Sequence, residues 1–204
     1  MTRILLVRHG HVEGISPARF RGHADLALTS EGRRQAEATA QRIQATWRPA
    51  AIYSSRLSRC LATGATIGKP FDLTPIVLAG LIDIDYGEWQ GLSLDEVKTR
   101  WPEELGEWFR NPDRAAIPGG ESLPDVRRRS AMVLETVARQ HPDDTVVLVA
   151  HDSVNRVILL HTLDAPLSRY WRIKQDPCAI NEIDIGENGG TIVTVNQTDH
   201  LRNL

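Results

Sequence analysis

The sequence predicts an α/β fold on a mostly parallel sheet with an antiparallel edge, and three observations carry that prediction. Residues 4–7, 51–53 and 145–150 form apolar runs of strand length, continuous as in strands buried on both faces. Segments with helical spacing separate them, as parallel βαβ connections require. The chain closes with two β-rich stretches, 179–185 and 191–195, around Glu187-Asn188-Gly189-Gly190, the pattern of a hairpin at a sheet edge.

Strand 4–7 runs into Arg8-His9-Gly10, and a polar stretch with Gly14, Pro17 and Gly22 follows. Thr29-Ser30-Glu31-Gly32 opens a helix whose stripe is Ala36, Ala40, Ile43 and Trp47, and Pro49 ends it. Strand 51–53 leads into Ser54-Ser55-Arg56, and residues 56–67 read as a helix with Leu57, Cys60, Leu61 and Ala65 inward, stopped by Gly68-Lys69-Pro70. A short strand is expected at 76–78. Residues 81–91 are non-periodic, acidic and aromatic, and Ser93-Leu94-Asp95-Glu96 has the spacing of a capping box for a helix ending near Pro102. Residues 101–124, rich in proline, glycine and aromatics, are expected to form a lid-like excursion over the site. Ser122-Leu123-Pro124 starts a long helix with Val126, Val133, Leu134 and Val137 inward. Strand 145–150 comes next, then a helix from near Ser153 carrying Val154, Val157, Ile158 and Leu159.

The composition bounds what such a chain does. With 204 residues, 41% hydrophobic and 25% charged, it has material for one substantial core, so one domain over 1–204 is expected. A net charge of -2 gives no whole-protein attraction to nucleic acid or anionic membrane, so anion binding must come from locally placed cations. Lys69, Lys98 and Lys174 are the only lysines; the remaining cations are arginines, whose planar fork suits bidentate phosphate capture. Cys60 and Cys178 have no disulfide-framework or zinc spacing, the start of the chain has no leader pattern, and no apolar run has membrane length. A cytoplasmic protein is expected, with no nucleic-acid or membrane partner and a homodimer left open.

Open α/β sheets bind ligands beyond the carboxyl ends of their strands. If the three strands are parallel neighbours, Arg8, His9, Arg56 and His151 converge on one crevice, and the chemistry they offer is that of a phosphate pocket. Arg8 and Arg56 can fork onto non-bridging oxygens, and His151 adds a donor when protonated. His9 is free to attack phosphorus through one ring nitrogen while a backbone carbonyl fixes the other. A carboxylic acid must still protonate the leaving group.

Arg8-His9-Gly10, Ser54-Ser55-Arg56-Leu57-x-Arg59-Cys60-x-x-Thr63, Gly87-x-Trp89-x-Gly91, Gly119-Gly120-Glu121-Ser122 and the late His151 together resemble the histidine phosphatase superfamily, in its phosphoglycerate-mutase-like branch. The resemblance implies a three-layer α/β/α fold, His9 as the phosphorylated nucleophile, and phosphate binding by Arg8, Arg56 and His151. It implies hydrolysis of a small phosphorylated metabolite without metal or other cofactor. The family's acid, a glutamate four residues before the glycine of the tryptophan motif, corresponds to Asp83, one carbon shorter. Asp152, directly after His151, is the rival, since His-Asp there resembles the acid-phosphatase branch; the tryptophan-glycine context favours Asp83. Val12 and Ile15 stand where the family often has a threonine and an asparagine. Arg21 and Gly22 lie where its substrate loop approaches the site, which makes Arg21 a candidate for a substrate carboxylate or second phosphate.

Three alternatives stay open. One is phosphoryl transfer of the cofactor-dependent mutase type. Another is a metal-dependent hydrolase using His9-Gly10-His11, against which Arg8 and Arg56 would repel a dication. The third is a non-catalytic phospholigand-binding module.

Overall fold

The computed structural model describes residues 1–187 and 189–204. Its sheet has six strands in the order β3-β2-β4-β1-β5-β6, with β1 Thr2–Arg8, β2 Pro49–Ser54, β3 Ile76–Val77, β4 Thr145–Ala150, β5 Ile180–Gly186 and β6 Gly189–Gln197. The pairs β1/β4, β2/β4 and β2/β3 are parallel, while β5 and β6 add an antiparallel edge beside β1. The expected hairpin is present, and Asn188 in its connection lies outside the described residues.

Alternation along the central strands creates the layers. In β1, Ile4 and Leu6 pack into one core cluster, with Val146, Leu148 and Ala150 of β4, under α5 (Leu123–Gln140) and α6 (Asp152–Thr162). Leu5 and Val7 point to the opposite face and pack with Ile52, Val147 and Val149 under α1 (Ser30–Thr46) and α2 (Ser58–Gly68). Both faces of β1 and β4 are therefore buried, which is why those runs are continuously apolar. Each such side chain contributes roughly 1.5–3 kcal/mol of burial free energy.

Local signals set the helix starts. Thr29 caps α1 by accepting from the Gly32 amide, and Ser122 and Ser93 form capping boxes with Asp125 and Glu96 on α5 and on α3 (Leu94–Arg100). Helix α2 starts two residues later than expected because Leu57 is extended (φ -71°, ψ 138°), which leaves Arg56 outside the helix. Residues 101–124 are a packed wall rather than an open excursion: α4 (Pro102–Arg110) and the turn after it bury Leu105, Trp108, Ala115 and Ile117 against the main core.

Candidate active site

The central strands deliver the site. The register pairs Arg8 with Ala150 and Ser54 with Val149, so the tips of β1, β4 and β2 lie level and His9, His151 and Ser55 follow them into one volume. The His9 amide donates to Ala150 (3.0 Å) and the Ser55 amide to Val149 (3.0 Å), so the turns continue the sheet's own bonding. The rings of His9 and His151 sit edge to face with centroids 5.2 Å apart.

His9 is 1% exposed, and its Nδ1–H donates to the carbonyl of Gly10 at 2.7 Å. That bond fixes the tautomer and leaves the Nε2 lone pair as the free nucleophilic position. Burial, reinforced by His151, Arg8 and Arg59, pushes the His9 pKa well below the ordinary histidine value, so the ring is neutral near neutral pH. His151, fully buried, is pushed down in the same way by burial and by Arg59 and Arg8; its Nε2 lies 2.9 Å from Ser55 Oγ and its Nδ1 3.6 Å from Asp83 Oδ2.

Two arginines enter this volume, and the second is not the one expected. Arg8 is buried, its Nη1 donating to the Gln175 carbonyl at 2.5 Å. Gln175 and Asn181 bond reciprocally (2.8 and 2.9 Å) and brace that carbonyl. Arg56 is exposed and enters no hydrogen bond or ion pair among the described residues. Arg59, on the first turn of α2, is fully buried and takes the place expected for Arg56. It donates to the carbonyls of Ala24 (2.6 Å) and Gly22 (2.8 Å) and pairs with Asp83 Oδ2 at 3.3 Å. Arg8 Nε and Arg59 Nε are both buried without a protein partner. Gly22 thus serves the cluster through its carbonyl; its φ of +46° and a Cβ position 3.0 Å from the Ile84 oxygen suit glycine.

The two acid candidates separate clearly. Asp83 is 6% exposed, and its Oδ1 accepts from the Ser153 hydroxyl and from the Ile84 amide (3.0 Å), which leaves Oδ2 facing Arg59 and His151. Asp152, on the first turn of α6, is engaged by Arg156 Nε at 2.8 Å and stays outside that cluster. Arg21 is half-buried, and its Nη1 donates to Gly14 at 2.6 Å. Burial lowers its pKa, with Arg8 the next cause, and it lines a cavity of about 320 Å³ with Glu13, Arg19, Leu26 and Gly91. Val12 lies in a small core cluster with Leu28, Ala36 and Cys178 and offers an anion nothing. His11, half of the metal-type histidine pair, has its Nδ1 on Thr29 Oγ1 at 3.0 Å.

Arg59, Ser55, Ser153 and Gln175 are site residues that the sequence reading misses. For Arg59 a signal exists: Arg59 and Thr63 are polar residues at i, i+4 beside buried Cys60. The Thr63 hydroxyl receives the Gly10 amide at 3.1 Å, which ties α2 to the first motif.

Comparison with known proteins places the chain in a family. The model of the histidine phosphatase superfamily (branch 1) matches residues 4–198. Phosphoserine phosphatase 1 of Hydrogenobacter thermophilus is 33% identical over 201 residues, 98% of this chain and 95% of that protein. A metal-independent phosphoserine phosphatase of Arabidopsis thaliana is 35% identical over 167 residues, covering 81% of this chain and 70% of that protein. The crystal structure of Entamoeba histolytica phosphoserine phosphatase in complex with 3-phosphoglyceric acid superposes with a TM-score of 0.89 at 25% identity, covering 98% of this chain and 100% of that one. The chain belongs to branch 1 of the histidine phosphatase superfamily.

Proposed function

We propose that this chain is a metal-independent phosphatase that hydrolyses a small-molecule phosphomonoester through a phosphohistidine on His9. One observation carries the reading: a buried neutral histidine, with its Nδ1 locked on Gly10, shares its pocket with two buried arginines whose Nε groups have no protein partner. Those guanidiniums occupy the place of positive charge that a dication would otherwise supply, and phosphoryl transfer is mostly positioning and charge stabilisation.

The steps follow from the geometry. The Nε2 lone pair of His9 forms an N–P bond as the ester P–O bond breaks, and the departing oxygen takes a proton from Asp83 Oδ2. Water then attacks phosphorus and gives its proton to the Asp83 carboxylate. The P–N bonding pair returns to Nε2, and inorganic phosphate leaves with Arg8, Arg59 and His151 around its oxygens. Arg21, in electrostatic reach of Arg8 and lining the adjacent cavity, is suited to a carboxylate or second anionic group on the leaving alcohol. Phosphoserine and 3-phosphoglycerate, named for the relatives, carry such a group.

A cytoplasmic setting accords with two free, buried cysteines, and no described helix is long and apolar enough to cross a membrane.

The test combines turnover with a trap. Purified protein in excess chelator should release phosphate from a panel of small phosphomonoesters, and quenching during turnover should trap an acid-labile, base-stable phosphoramidate on His9. The His9→Ala variant should lose at least about 10³-fold in kcat. Phosphate release that survives in His9→Ala, or that vanishes in chelator and returns with a dication, overturns the reading. Isomerisation of 3-phosphoglycerate without phosphate release would place the chain among the mutases.

A further inference from the structure

The Gly119-Gly120-Glu121-Ser122 motif touches neither His9 nor the two arginines of the phosphate cluster, and the steps above leave it without a task. We infer that Glu121 and Arg129 form a clamp that positions Asp83 for proton transfer, a role that rests on Asp83 being the acid of the proposed reaction. Arg129, on α5, uses all five N–H donors. Its Nε and Nη2 fork onto the Glu121 carboxylate at 2.8 and 2.9 Å. Its Nη1 donates to the carbonyls of Gly80 (2.8 Å) and Ile82 (2.6 Å), and Nη2 donates also to the carbonyl of Asp83 at 3.0 Å.

Residues 82–85 have no regular secondary structure, so their backbone groups must find partners elsewhere. Glu121 supplies the rest: Oε2 accepts from the Asp85 amide at 3.1 Å, and its own amide donates to the Asp85 carbonyl at 2.9 Å. The carbonyls of Gly80 and Ile82 and the amide of Asp85 are therefore held by one ion pair, which also holds the Asp83 carbonyl beside His23 Nε2 (2.9 Å), while the Glu121 backbone holds the Asp85 carbonyl. The glycines allow the approach. A Cβ on Gly120 would lie 2.5 Å from the Asp85 oxygen, and one on Gly87 would lie 2.2 Å from the Pro118 oxygen.

The length of the acid explains why such a hold is needed. An aspartate has one side-chain torsion fewer than a glutamate, so it has less freedom to correct an error in backbone position. With Oδ1 fixed by Ser153 and Ile84, the placement of the Asp83 backbone determines where Oδ2 meets the leaving oxygen. Only a permanently charged, planar, five-donor group can hold three carbonyls and a carboxylate at once, which excludes lysine as an equivalent.

The experiment measures the rate of phosphoenzyme formation with two probes. p-Nitrophenyl phosphate has a leaving group that departs as a stable anion, whereas 2-glycerol phosphate must be protonated. Arg129→Ala and Arg129→Lys should slow formation from 2-glycerol phosphate about 10- to 100-fold. The burst of p-nitrophenolate and inhibition by inorganic phosphate should stay within about twofold. Glu121→Gln, which keeps the side-chain size, should give a smaller loss with the same selectivity and serves if the arginine variants fail to fold. The double variant Asp83→Asn/Arg129→Ala should be no slower on 2-glycerol phosphate than Asp83→Asn, because both changes remove one function.

Parallel losses on both probes, wild-type rates in Arg129→Lys, or losses that multiply in the double variant overturn the clamp. If Asp83→Asn discriminates between the probes and the Arg129 and Glu121 variants do not, the clamp alone fails. If Asp83→Asn slows both probes equally, the acid assignment fails and takes the clamp with it.

Discussion

Three residues separate an arginine inside the buried His9–His151 cluster from one outside it. Arg59 is fully buried and bonded to Asp83, whereas Arg56 is exposed. Removing one preorganised donor to a developing oxyanion typically costs about 2.7–4 kcal/mol of transition-state stabilisation. Arg59→Ala should therefore lower kcat/KM for p-nitrophenyl phosphate by about 10²- to 10³-fold, and Arg56→Ala should stay within about threefold. The opposite order of losses would return the role to Arg56. The same comparison separates the carboxylates: Asp83→Asn should slow alkyl esters about 10²-fold or more. Asp152→Asn, which loses only a partly buried pair with Arg156, should keep most turnover. His9, Arg8 and His151 are legible in the sequence because each directly follows or ends an apolar strand. Arg59 is marked only by its i, i+4 spacing to Thr63 beside Cys60, a weak signal against an arginine inside a helix, which reads as solvated by default. Its burial is tolerable because the remote carbonyls of Gly22 and Ala24 and the Asp83 carboxylate supply its partners.

At the scale of elements, what the sequence reveals depends on whether periodicity or remote bonding builds the element. Helices α1 and α5 and strand β4 are readable because apolar spacing and caps are local signals. The loop bearing Asp83 is not, since its partners, among them Arg129, Glu121, His23 and Ser153, lie far along the chain. The joint between the first motif and α1 is equally hidden. A Cβ on Gly32 would lie 2.2 Å from the His11 oxygen, and one on Gly10 would lie 2.5 Å from the Gly32 oxygen. Helix α1 is thus seated against the backbone that carries His9. Gly32→Ala would gain helix propensity in isolation yet must push that backbone away, at a cost of about 1–3 kcal/mol for overpacking. Its melting temperature should fall, and its kcat should fall further than that of an equally destabilising change on the β5/β6 edge. Equal kcat losses in the two variants would show that the joint carries stability alone.

Across the whole molecule, the cost of the site appears as acid sensitivity. The sheet order places β4 between β1 and β2, which buries both site histidines among guanidiniums and lowers their pKa values. Once unfolded, each imidazole returns to a pKa of about 6.5. The unfolded chain therefore binds more protons than the fold as pH drops below that value, and stability is lost from there down toward the lower folded pKa. The slope reaches about 1.4 kcal/mol per pH unit for each such histidine. His200, also lowered by burial, adds in the same direction. The hydrogen-bonded carboxylates Asp25, Asp125 and Asp176 are lowered too, but their stabilisation is lost only near and below the ordinary carboxylate range. The interval between about pH 6.5 and pH 5 consequently isolates the histidines. Denaturant midpoints in phosphate-free buffer should be level from about pH 8 to 7 and fall as pH is lowered toward about 5. Saturating inorganic phosphate should shrink that fall, because an anion among Arg8, Arg59 and His151 stabilises the protonated imidazole and the folded state together. A His9→Gln variant should show a shallower fall than the parent. A midpoint that stays constant down to about pH 5 would mean that the imidazoles accept protons without leaving the fold, and the neutral nucleophile would then have to be abandoned at acidic pH.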